Sequence, residues 1–131
     1  MPYQTISHDI QIAVEVEYVP PEQHGHTDRY VWAYHITMEN LGSDTAQLKT
    51  RHWTITDGRG HVEHVDGPGV VGETPVLQPG ESFTYTSGCP LTTDSGMMCG
   101  HYVFEDAKGA QRMVEIPAFS LDLPDARHRL H

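Results

Sequence analysis

Cysteine is nearly absent from this chain, basic residues are scarce, and no long apolar run interrupts its 131 residues. Each absence removes a class of function. A membrane helix needs roughly 20 consecutive apolar residues, and none are found. The opening Met1-Pro2-Tyr3-Gln4-Thr5 has neither a basic region nor an apolar stretch, so a cytoplasmic protein without a signal peptide is expected. The only cysteines, Cys89 and Cys99, form no C-x-x-C pair, which leaves a redox dithiol or a zinc knuckle without support. In a reducing compartment they are expected as free thiols rather than a disulfide. Lysine and arginine total 8 against 18 aspartates and glutamates, a formal charge of −10. Nucleic-acid binding needs a basic footprint to neutralise phosphates, so no such partner is expected. The bases cluster only at Arg127-His128-Arg129, within a polar C-terminal tail at residues 125–131.

What is present has a period of two. Ile10, Ile12, Val14, Val16 and Tyr18 alternate with polar residues, which predicts a half-buried strand stopped by Pro20 and Pro21. A polar loop is expected over Glu22–Asp28. A second strand runs over Arg29–Asn40 with Tyr30, Trp32, Tyr34, Ile36 and Met38 on one face. The third covers Thr45–Thr56, where alternation slips between Leu48 and Trp53 and predicts a β-bulge. Asp57-Gly58-Arg59-Gly60 reads as a hairpin turn with positive φ at the Asp-Gly pair. Further strands are expected at His61–Val65, Thr74–Leu77, Glu81–Ser87, His101–Glu105 and Gln111–Ile116. Short strands punctuated by turns every 8 to 12 residues predict an all-β, two-sheet antiparallel sandwich in one domain, residues 1–124.

No local pattern assigns catalytic roles. Cys89 precedes Pro90 in an expected turn, and Ser87 and Ser95 lack a G-x-S-x-G context. Gly67-Pro68-Gly69-Val70-Val71-Gly72 matches G-x-G-x-x-G, but Pro75 and Pro79 forbid the helix that a dinucleotide site requires. The segment reads as a tight loop whose glycines need positive φ; phosphate or nucleotide binding there is the alternative. His24 and His26 sit in the loop near Glu22 and Asp28 as candidates for weak divalent-cation binding. They lack the ligand spacing of a structural metal site. His61 and Glu63 share one strand face and His64 takes the other. No cofactor is expected.

The residues from Tyr30 onward carry a specific resemblance. Arg29-Tyr30-Val31-Trp32-Ala33-Tyr34, Asn40-Leu41-Gly42, Arg51-His52-Trp53-Thr54-Ile55-Thr56-Asp57 and Gly67 to Pro75 resemble the ApaG family. So do Leu77 to Leu91 and Ile116-Pro117-Ala118-Phe119-Ser120-Leu121. The resemblance implies a fibronectin type III-like or immunoglobulin-like sandwich. Its eukaryotic members are joined to F-box and DNA-polymerase-interacting proteins, which implies a protein-interaction module. Bacterial members are linked to cobalt resistance and magnesium efflux, and their genes often adjoin that of a diadenosine tetraphosphate hydrolase. His24, His26 and Cys99 fall outside the family pattern and inherit no role.

The expected function is therefore a non-enzymatic binding module for an unidentified protein; the alternative is a small-ligand or divalent-cation binder. Recognition is expected at a sheet edge, or around Arg51, His52 and Trp53 and the loop of Gly67, Gly69 and Gly72. Trp53 suits a sandwich core. Arg51, two positions earlier, shares its face, so a bulge or an acidic neighbour must accommodate the charge. Arginine and tryptophan are also the types enriched at binding hot spots.

Overall fold

The computed structural model describes residues 3–124, and the expected tail at 125–131 lies outside them. The strands are β1 (Tyr3–Ser7), β2 (Ile10–Val19), β3 (Tyr30–Asn40), β4 (Ala46–Asp57), β5 (Val62–Pro68), β6 (Val76–Leu77), β7 (Ser82–Leu91), β8 (Gly96–Asp106) and β9 (Gln111–Leu121). A four-stranded sheet has the order β1-β2-β3-β7. A five-stranded sheet has the order β5-β4-β8-β9, with β6 pairing β4 beyond the end of β5. All pairings are antiparallel. The all-β, two-sheet reading holds.

Alternation fills the space between the sheets. Ile10, Ile12 and Val14 of β2 and Trp32, Tyr34, Ile36 and Met38 of β3 meet Leu48, Trp53, Tyr102, Phe104, Val114 and Phe119 of the second sheet. The ring centroids of Tyr34, Trp53 and Phe119 lie 5.3 to 6.1 Å apart, within the range of favourable aromatic pairing. The buried Tyr85 and Tyr102 hydroxyls satisfy each other at 2.6 Å. The bulge expected in β4 lies between Leu48 and Thr50, and a second one lies in β9, where Pro117 and Ala118 stand opposite Cys99.

Several local expectations are corrected. Glu22–Asp28 is not wholly loop: Pro21–His24 forms a single helical turn, closed by Gly25 at φ 77°. The positive φ of the β4–β5 turn falls at Gly60 (85°), not at Asp57-Gly58, because Asp57 Oδ1 accepts the Arg59 and His61 N–H groups and sets the turn itself. Cys89-Pro90 lies inside β7 rather than in a turn. Proline is tolerated there because β7 is a sheet edge. β5 runs on through Gly67-Pro68, so the glycine segment begins within a strand. β1 was not expected; it joins β2 through His8-Asp9, a two-residue turn with φ of 50° and 64°.

The two long sides of the sandwich differ. β1 and β9 close one side: the Glu115 N–H donates to Ser7 Oγ, and Tyr3 packs on Phe119 with its hydroxyl 3.4 Å from Ser120 Oγ. The opposite side is bounded by β5 and β7, which do not pair. Among the described residues no helix is long and apolar enough to cross a membrane.

Candidate functional site

Strand geometry splits the Arg51, His52 and Trp53 trio. Arg51 and Trp53 turn toward the inter-sheet space while His52 stands on the outer face. The Trp53 side chain is core, 3% exposed. Arg51 is half-buried at the open side, and its partners are backbone oxygens rather than an acid. Its Nη1 donates to the Pro68 and Gly69 carbonyls at 3.0 and 2.9 Å. The guanidinium lies over Gly67, where a Cβ would sit 2.9 Å from it. Gly67 thus makes room for the arginine and is not in the left-handed region.

The rest of the glycine segment is bound to itself and to β4. The Gly69 N–H donates to the Lys49 carbonyl, and Val70 and Glu73 exchange N–H···O bonds at 2.8 Å. Val71 and Gly72, at φ 44° and 81°, form the two central residues of that hairpin turn. A Cβ on Gly69, at φ 60°, would overlap the Glu73 carbonyl oxygen. Val71 is β-branched, exposed and left-handed, a combination that stores strain. The N–H groups of Gly69, Val70 and Glu73, which an anion cradle would use, are already donated.

Between β5 and β7 opens a cleft of about 320 Å³, lined by Tyr34, Arg51, Trp53, Val65, Cys89 and Met98 with Glu63 at its rim. Burial pushes the Cys89 thiol up to about 11, with Glu63 adding to the effect, so the thiol stays neutral. Burial also raises Tyr34, Tyr85 and Tyr102, and Arg51 opposes the shift in each. Both cysteines are free.

The outer face of the five-stranded sheet brings together residues that the sequence scattered. Asp66, His52, His101 and Glu115 are successive cross-strand neighbours on β5, β4, β8 and β9. The His52 ring stacks on His64 and His101 at 5.4 and 5.1 Å. His52 Nδ1–H donates to Asp66 Oδ1 at 2.5 Å, and the Thr54 hydroxyl lies within 3.4 Å of His52 Nε2 and His64 Nδ1. A broad depression of about 700 Å³ beside them includes Cys99, Met113 and Glu115. His101 and Glu115 escaped the sequence reading because only the pairing of β4, β8 and β9 places them here. Among the described residues no group of three or more histidine, cysteine or carboxylate side chains is arranged to hold a metal ion.

His24 and His26 lie apart from both surfaces. Their rings stack at 5.5 Å, His24 Nδ1 accepts the His26 N–H, and His24 Nε2 is buried without a partner. This leaves His24 no exposed lone pair for a cation.

Comparison with known proteins adds relatives over nearly the full chain. A family model described as the ApaG domain matches residues 20–106. A curated protein ApaG from Parvibaculum lavamentivorans is 52% identical over 129 residues, covering 98% of this chain and 99% of its own. A crystal structure of a putative ApaA protein from Bordetella pertussis is 44% identical with a TM-score of 0.82, over 92% of this chain and 98% of that one. A second X-ray structure, of a structural-genomics target, gives a TM-score of 0.85 at 37% identity over 93% of this chain and 92% of its own.

Proposed function

The chain belongs to the ApaG family, and from that membership we propose that it is a non-enzymatic module of the cytoplasm that acts by binding another protein. The observation that carries the reading is the open side of the sandwich. There two strand edges, unpaired among the described residues, flank a cleft floored by Tyr34, Trp53 and Met98 and bordered by Arg51, Glu63 and Ser87. An unpaired edge supplies affinity through main-chain hydrogen bonds, and a neighbouring cleft supplies specificity by receiving side chains. Neither requires a catalytic group. Arg51 shapes this surface by anchoring the Pro68–Gly69 backbone at the cleft's end.

A photo-crosslinking residue at Glu63, on the rim of the cleft, is expected to trap a defined protein in cells. The same residue at Ile6, beyond the closed side, is expected not to. Crosslinks from Ile6 and none from Glu63 would refute the assignment of the open side.

One feature favours a second reading, a divalent-cation binder in keeping with the family's link to cobalt resistance and magnesium efflux. His52, His64 and His101 stand on one exposed face with Asp66 beside them. Titration with Co²⁺, followed by the ring resonances of these histidines, separates the two. Saturation at micromolar metal, lost in His101→Ala, would favour the cation; shifts only at millimolar metal leave protein binding as the function.

A further inference from the structure

Every rim strand leaves one row of backbone groups unpaired, and these rims deal with that row differently. β1 and β9 lie against each other, and Ser7 occupies the Glu115 N–H. β5 carries Glu63, His64 and Asp66 and ends on Pro68, residue types that discourage further pairing. β7 has no charged residue from Ser82 to Leu91.

Its register with β3 identifies the free groups. The Asn40 N–H donates to the Glu81 carbonyl at 3.0 Å, so the odd-numbered residues of this stretch exchange bonds with β3. Ser82, Thr84, Thr86 and Gly88 consequently aim N–H and C=O away from the sheet, and all of them are exposed. Among the described residues no turn or loop bond uses those N–H groups. Pro90 falls on the same outward row, where a missing N–H breaks no existing ladder bond.

The two faces beside this edge differ in chemistry. On the outer face Glu39 of β3 is the register partner of Ser82, and Glu15 and Glu17 lie one strand further in on β2, with His35 the base among them. Inward lies the cleft, with Tyr34, Trp53, Val65 and Met98 among its lining. Resting on the protein-interaction reading above, we propose that β7 receives an extended segment of a partner protein as an antiparallel fifth strand of this sheet. That segment alternates apolar side chains, directed to the cleft, with lysines or arginines, directed over the acidic face. The chain's −10 charge favours a basic partner over a second copy of itself.

The alternation makes the test specific. Directly opposed residues put their side chains on the same face, and the outward row of β7 carries outer-face side chains. The partner residues that bond β7 are therefore the basic ones. The probe is a capped ten-residue peptide alternating lysine and valine, followed by amide exchange of the full chain in solution. Bound peptide is expected to slow exchange at Ser82, Thr84, Thr86 and Gly88 at least tenfold. N-methylating the lysines should weaken binding at least tenfold, whereas N-methylating the valines should not. Thr86→Pro, on the row that already holds Pro90, should weaken binding similarly with a retained melting curve. Equal binding of both methylated peptides, or no protection of the four amides, overturns strand pairing. Protection of those amides by self-association without peptide also overturns it, since the occupant is then a second copy. If strand pairing fails while Glu63 still crosslinks a protein, the function proposed above stands without it; if both fail, both fall.

Discussion

The two long sides of this sandwich are built from similar strands and end in opposite conditions. At the closed side β1 and β9 pack against each other through the Tyr3–Phe119 ring contact and the Glu115–Ser7 hydrogen bond. At the open side β5 and β7 stand apart, and the cleft between them is held at one end by Arg51 and the glycine hairpin. A fold needs both of its sheets covered on the inside, but it does not need every edge covered. Where the chain leaves an edge uncovered and uncharged, the free backbone is available to another molecule. On the function proposed above, the difference assigns stability to one side and binding to the other.

The largest effect should come from the hairpin that shapes the open side. Gly69→Val puts a β-branched residue at φ 60° and against the Glu73 carbonyl, and should cost roughly 3 kcal/mol or more in urea unfolding. Next comes a paired substitution across the comparison. Tyr3→Ala on the closed side should cost about 2 kcal/mol by removing the contact with Phe119. Ser82→Ala on the open edge, where the side chain is exposed, should stay within about 0.5 kcal/mol. Equal losses would erase the distinction between the sides. Arg51→Ala should cost about 1.5 kcal/mol, since the Pro68 and Gly69 carbonyls lose a charged donor. Arg51→Lys should restore only part of it, because an ammonium lacks the planar guanidinium that lies over Gly67. One further effect has the opposite sign. Val71→Asn should raise stability by about 1 kcal/mol, because asparagine tolerates the left-handed φ that valine resists.

Much of the fold was legible because its core strands alternate cleanly. Ile10 to Tyr18 and Tyr30 to Met38 announce their faces, and the slip after Leu48 announces the bulge. β1 was missed because its turn, His8-Asp9, holds no glycine, although histidine and aspartate both tolerate positive φ. The ends of β7 and β9 were missed because Pro90 and Pro117 argue against strand; a sheet edge accommodates Pro90 and a bulge accommodates Pro117. The candidate site was legible in part. Arg51 was correctly placed on the face of Trp53, yet its partners are carbonyls eighteen or fewer positions away that no local pattern names. The row of Asp66, His52, His101 and Glu115 is made by strand pairing alone, and the absence of charge in β7 matters only once β7 is known to be a rim.

Amide exchange of the free protein tests the difference between the sides most directly. Along β7 the account predicts strict alternation, with fast exchange at Ser82, Thr84, Thr86 and Gly88 and protection at Phe83, Tyr85, Ser87 and Cys89, while Glu115 on the closed side is protected. Uniform protection along β7, or exchange at Glu115 as fast as at Thr86, would contradict it.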